Sequence, residues 1–141
     1  MQSILTDTRA RDSTRERACI LIVDDNPTNL KLACDVLQFE GYKVIKAEDA
    51  ECARELLTQH LPALILMDIA LPGMDGLSLT RLLKADERTC RIPIIALTAF
   101  AMKGDEQKAR DAGCDGYITK PIDIRSLPLQ VEQALKLTTN K

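Results

Sequence analysis

Apolar residues gather in five short runs along the chain, at Cys19–Val23, Tyr42–Ala47, Leu64–Met67, Ile94–Leu97 and Tyr117–Ile118. Four of these runs are too apolar to alternate, which is how strands read when both faces of a sheet are covered. The run at Tyr42–Ala47 is broken by Lys43 and Lys46 and predicts an edge strand. Between the runs the spacing becomes helical. Leu30, Ala33, Cys34 and Leu37 fall at i, i+3, i+4 and i+7, with Pro27 suited to a first turn and Gly41 to a stop. A second helix is predicted from Asp49 to about Gln59, with Ala53, Leu56 and Leu57 inward. A third covers Gly76 to Lys84, with Leu79, Leu82 and Leu83 inward. A fourth, Met102 to about Ala112, is rich in Ala, has few large anchors and carries Gly104 inside it. The last runs from near Asp123 to Leu137 with Ile124, Leu127, Val131 and Ala134 as its stripe, and Pro128 blurs its start.

This (βα)₅ order predicts an α/β domain: a doubly wound parallel sheet with right-handed crossovers and helices on both faces. Ligands of such sheets bind outside the carboxyl ends of the strands, near a switch in strand order. The chain has 141 residues, enough for one domain with its own core. That domain is expected at 18–137, after a polar, disordered leader over 1–17 and before a short tail over 138–141. The leader carries both charges and lacks the apolar stretch of about 7–15 residues that a secretory signal needs. No run reaches the roughly 18 apolar residues of a membrane span, so no membrane insertion is expected. The net charge of −2 gives no broad basic surface for nucleic acid. Five cysteines, an odd number with no Cys-x-x-Cys pair, read as reduced thiols of a cytoplasmic protein.

The polar residues at the strand ends carry the chemistry. Asp24 and Asp25 close the first strand, Asp68 the third, Thr98 the fourth and Lys120 the fifth. Singly, a strand-ending Asp is a helix cap or a turn former. Together, one sheet edge collects three carboxylates, a hydroxyl and an ammonium. Three carboxylates in one crevice repel, and a hard divalent cation resolves the conflict. Mg²⁺ is expected, with Asp25 and Asp68 as direct ligands, Asp24 acting through water and the Ala70 backbone carbonyl adding an oxygen. Asp68 is also the expected nucleophile toward phosphorus, with Lys120 and the metal neutralising charge on the phosphoryl oxygens and Thr98 donating to one of them.

At these residues the chain resembles the receiver domain of bacterial two-component response regulators. The resemblance rests on Val-Asp-Asp-Asn at 23–26, Leu-Met-Asp-Ile at 66–69, Leu-Pro-Gly-Met-Asp-Gly at 71–76, Ala-Leu-Thr-Ala at 96–99 and Thr-Lys-Pro at 119–121, and spans about 18–137. It implies a flavodoxin-like three-layer sandwich with strand order 2-1-3-4-5. It also implies Asp68 as phosphoacceptor and a phosphohistidine donor on a sensor histidine kinase or histidine phosphotransfer protein. Thr98 and Tyr117 match the coupled switch pair, and output is implied through the fourth helix, fifth strand and fifth helix onto a downstream protein. The Lys120–Pro121 bond matches one that is usually cis. Such a domain catalyses only its own phosphorylation and dephosphorylation.

Two departures bear on the lifetime of the phosphoryl group. Ala70 cannot orient a water by its side chain, and Phe100 is bulky enough to shield the site, so slow self-dephosphorylation is expected. Cys114, His60 and Met74 read as structural or surface residues. An aspartyl phosphatase of the haloacid dehalogenase type also combines acids, Mg²⁺ and lysine. Its nucleophile, however, follows the first strand with a second Asp two residues on, whereas Asp24-Asp25-Asn26 stands here. A flavin binder on the same fold wants a Ser/Thr/Gly-rich loop after the first strand and aromatics for stacking, and Trp is absent. A receiver-fold scaffold without phosphorylation is disfavoured by the presence of all five key residues. No effector domain is expected after Leu137, and a stand-alone regulator, a relay shuttle and a piece of a hybrid kinase all stay open.

Overall fold

The computed structural model describes residues 18–99 and 104–139. The leader, Phe100 and the expected start of a helix at Met102 lie outside them. Five strands, β1 (Cys19–Val23), β2 (Lys43–Ala47), β3 (Leu64–Asp68), β4 (Ile94–Thr98) and β5 (Gly116–Thr119), form one sheet in the order β2-β1-β3-β4-β5. All pairs are parallel: Ile20 lies beside Val44 and Leu64, Leu66 beside Ile95, and Ile95 beside Gly116. The order doubles back at β1, and β1 and β3, the strands on either side of that reversal, end in the acids.

Among the described residues five helices alternate with the strands: α1 (Pro27–Phe39), α2 (Ala50–Leu57), α3 (Gly76–Ala85), α4 (Asp105–Ala112) and α5 (Leu127–Thr139). Strand side chains alternate between faces, so each central strand feeds two cores. Leu21, Val23, Ile65, Met67, Ile94 and Ala96 pack with α2, α3 and α4. Ile20, Ile22, Leu64, Leu66, Leu97 and Ile118 pack with α1 and α5. β2 is an edge strand, as its lysines predicted, and exposed Lys43 and Lys46 guard it against further pairing.

The helix faces depart from expectation in places. Leu82 is 46 % exposed, because Leu79 and Leu83 take the inward face of α3. Ile124 is 51 % exposed. The residues before α5 form a turn held by Asp123, which accepts from Arg125 N–H (2.9 Å) and Ser126 Oγ (2.8 Å), so the helix begins at Leu127. Asp49 caps α2 through Cys52 N–H at 2.8 Å, and that helix ends at Leu57. Gly104 is the N-cap of α4 and not an interior residue. Among the described residues no helix is long and apolar enough to cross a membrane.

Candidate phosphoacceptor site

The carboxyl ends of β1, β3, β4 and β5 open on a crevice of about 450 Å³ whose lining includes Asp25, Asp68, Ala70, Thr98 and Lys120. A larger groove of about 710 Å³ beside the β2 edge, lined by Lys31, Cys34, Lys46 and Glu48 among others, holds no such convergence of groups. The chemistry, not the volume, marks the first.

Each acid is held by local backbone. Asp24 Oδ1 accepts from Asn26 N–H at 2.9 Å, and Asp68 Oδ1 from Ala70 N–H at 2.9 Å. Both are turns formed as a strand ends, so each carboxylate is aimed before any ligand arrives. Asn26 then caps α1, its Oδ1 accepting from the N–H groups of Thr28 and Asn29. Asp24 and Asp68 are almost fully buried, whereas Asp25 is exposed at the mouth. One oxygen from each of the three lies within 4.8 Å of the others.

Lys120 reaches across from β5. Its Nζ donates to Asp68 Oδ2 at 3.0 Å and stands 3.0 Å from Asp24 Oδ2. The second approach is a charge contact without hydrogen-bond alignment, because Asp24 Oδ2 is buried and lacks a hydrogen-bond donor. Burial opposes the ammonium form of Lys120, yet its contacts with Asp68 and Asp24 outweigh burial and hold its pKa above the ordinary lysine value. Asp24 is pushed the other way for a carboxyl. Burial raises its pKa and the charge of Asp68 adds to this, against the opposing contacts with Asn26 and Lys120.

Two deep carboxylates share the Lys120 ammonium, and a third stands at the mouth. The donor set is all oxygen, and one of its buried atoms has no hydrogen bond. A hard divalent cation fits such a set. Thr98, at the end of β4, is buried in the same crevice. Tyr117 is half-buried and packs against the α2–α4 side of the core without lining the crevice. The Lys120–Pro121 peptide is cis. His60, Met74 and Cys114 lie away from the crevice.

Two residues at this site were not singled out from the sequence. Asn29 lines the crevice from the first turn of α1. Its spacing, four residues after Asp25, was the available signal. Gly76 packs against the backbone of Asp68 and Ile69; the sequence shows only a glycine at a helix start.

Residues 20–132 match the family model of the response regulator receiver domain. The polar-differentiation response regulator DivK of Brucella ovis is 49 % identical over 105 residues, covering 74 % of this chain and 85 % of that protein. A CheY-like response regulator receiver domain protein from Methanospirillum hungatei superposes with a TM-score of 0.79 at 32 % identity, covering 87 % of this chain and 97 % of its own. The receiver domain of a signal transduction histidine kinase from Syntrophus aciditrophicus gives a TM-score of 0.78 at 33 % identity, covering 84 % of this chain and 90 % of its own. With a family match over most of its length and relatives alike in sequence and in fold, this chain belongs to the response regulator receiver domain family of two-component signalling.

Proposed function

We propose that this receiver takes a phosphoryl group onto Asp68 from a phosphohistidine on a sensor histidine kinase or a histidine phosphotransfer protein, in the cytoplasm. The observation that carries this reading is the meeting of Asp24, Asp25 and Asp68 within 4.8 Å, with Lys120 at 3.0 Å from Asp68. Asp25 and Asp68, with Asp24 through water and the Ala70 carbonyl, would hold Mg²⁺, which when bound offsets negative charge on the phosphoryl oxygens.

The chain's own residues position the reaction. An Asp68 oxygen attacks phosphorus, forming an O–P bond as the donor's P–N bond breaks. The departing imidazole nitrogen keeps the electron pair and takes a proton from solvent. Ala70 N–H and Lys120 fix the plane of the Asp68 carboxylate, so orientation is set in advance. Lys120 then follows the charge from the carboxylate to the phosphoryl oxygens, and the Thr98 hydroxyl donates to one of them. Thr98 and Tyr117 act as the switch pair. Output passes through the face formed by α4, β5 and α5 to a downstream protein. The thin anchoring of α4, whose buried positions among the described residues are Ala109 and Ala112, supports a mobile element there.

Incubation with Mg²⁺ and acetyl phosphate, followed by intact mass, tests the proposal. The wild type should gain one phosphoryl group and Asp68→Asn none. A phosphorylated Asp68→Asn would sink it.

A further inference from the structure

We infer that Asn29 grips the phosphodonor at the mouth of the crevice, its carboxamide N–H donating to the atom that leaves phosphorus. The inference rests on Asp68 being the phosphoacceptor. Asn29 stands in the first turn of α1, four residues after Asp25, and lines the crevice together with Asp25, Asp68, Thr98 and Lys120.

Several donors around the crevice are already committed. Ala70 N–H serves Asp68 Oδ1, Asn26 N–H serves Asp24 Oδ1, and Lys120 stands between Asp24 and Asp68. Asn26 also lines the crevice, but its carboxamide is fixed in orientation by its oxygen, which caps α1. The backbone N–H of Asn29 goes to that cap, while its carboxamide makes no hydrogen bond among the described residues. Asn29 thus brings two unused N–H donors to the rim, on a carboxamide that, unlike that of Asn26, no helix cap holds in place.

Depth assigns those donors to the donor molecule. Asp24, Asp68 and Thr98 are at most 3 % exposed and make the floor, whereas Asp25 is exposed and Asn29 half-exposed at the rim. Phosphoryl transfer places the attacking and leaving atoms roughly in line on opposite sides of phosphorus. With the attacking oxygen on the floor, the leaving atom faces the rim. There the P–N bond breaks and the nitrogen keeps its electron pair. Asn29 donates a hydrogen bond to that nitrogen and transfers no proton. A neutral amide does this beside Asp25 without competing for the carboxylates as a second ammonium would.

The test uses three small donors that differ in leaving group, namely monophosphoimidazole, phosphoramidate and acetyl phosphate, at saturating Mg²⁺. Initial rates of Asp68 labelling against donor concentration are compared for wild type, Asn29→Ala and Asn29→Asp, the last having the same shape without N–H donors. Both variants should lose about tenfold in kcat/KM with monophosphoimidazole, the worth of one hydrogen bond. Affinity for beryllium trifluoride, which mimics the phosphoryl group but has no leaving group, should be unchanged in Asn29→Ala. Wild-type rates in both variants, or a parallel fall in beryllium trifluoride affinity, overturns the role of Asn29. Normal rates in Asn29→Asp alone overturn it too, since shape would then suffice. Labelling of Asp68→Asn in the same assay would instead overturn the phosphoacceptor reading itself.

Discussion

Gly76 rests against the backbone of Asp68 so closely that a Cβ placed on it would collide with the Asp68 carbonyl oxygen and stand 2.8 Å from Ile69 Cα. Its N–H also donates to the Ile69 carbonyl at 3.3 Å. The first turn of α3, capped by Asp75 through Ser78 N–H at 2.8 Å, is thereby pressed onto the turn that presents the phosphoacceptor.

Gly76→Ala therefore pits two effects against each other. Alanine gains about 1 kcal/mol of helix propensity over glycine. Overpacking costs about 1–3 kcal/mol, and here the obstacle is backbone, which cannot step aside as a flexible side chain does. The net effect should be a lower melting temperature and slower labelling of Asp68. A thermal unfolding curve shifted upward would show that the contact is not tight.

Lys120 makes its two contacts at 3.0 Å from elements far apart in sequence. Removing it as Lys120→Met leaves two buried carboxylates facing each other and should cost about 1–3 kcal/mol without divalent cations. The pH dependence has a definite sign. The folded pKa of Lys120 lies above its ordinary value of 10.5, so its contribution is fully present below pH 10.5 and is lost as pH rises through the folded value. Urea unfolding of wild type and variant should differ by the same amount at pH 7 and pH 9, and converge only above pH 10.5. A difference that fades between pH 7 and pH 9 would mean another group carries the effect.

Asp24 pays for function in stability. Burial, with the nearby charge of Asp68, raises its pKa above 3.8, so the folded state binds the proton more tightly than the unfolded one. Its destabilising contribution is absent below pH 3.8, grows as pH rises from 3.8 to the raised folded value, and is complete above that value. Asp24→Asn should accordingly melt higher than wild type in the presence of a chelator. Added Mg²⁺ stabilises the folded state by mass action, and it should raise the wild-type melting temperature more than that of the variant. Calorimetry with and without Mg²⁺ decides this, and equal shifts in the two proteins would remove Asp24 from the cation site.

The strands and the crevice were legible in the sequence for a common reason. A parallel sheet covered on both faces needs runs such as Ile20–Val23 and Leu64–Met67, apolar without a break, and the polar residue that ends each run lands at the same sheet edge. Helix faces were less legible. Leu82 and Leu83 are equally apolar, and only the packing of α3 sends one inward. Ile124 fits a helical stripe by spacing but sits in the Asp123 turn. Asn29 is ordinary for a first helical turn, and its crevice position depends on how α1 leaves β1.

The partnership of Lys84 and Asp115 was the least legible of all, since each alone reads as a surface charge, 31 residues from the other. Lys84 Nζ donates to the carbonyls of Ile92 (2.8 Å) and Cys90 (3.3 Å) and to Asp115 Oδ2 (3.0 Å). The same Asp115 oxygen accepts from Ile94 N–H at 2.9 Å. Only about a fifth of either side chain is exposed. The pair ties the end of α3 to the starts of β4 and β5, at the edge of the sheet opposite the crevice. Lys84→Met should cost about 1–3 kcal/mol, because three acceptors lose their donor. Asp115→Asn should cost less, since an amide oxygen can still accept from Ile94 N–H. A double-mutant cycle by urea unfolding should give a coupling energy of about 0.5–3 kcal/mol, with Asp68 phosphorylation at the wild-type rate in all three variants. Additive losses would mean that the two side chains act separately, and slowed phosphorylation would mean that this edge reaches the crevice.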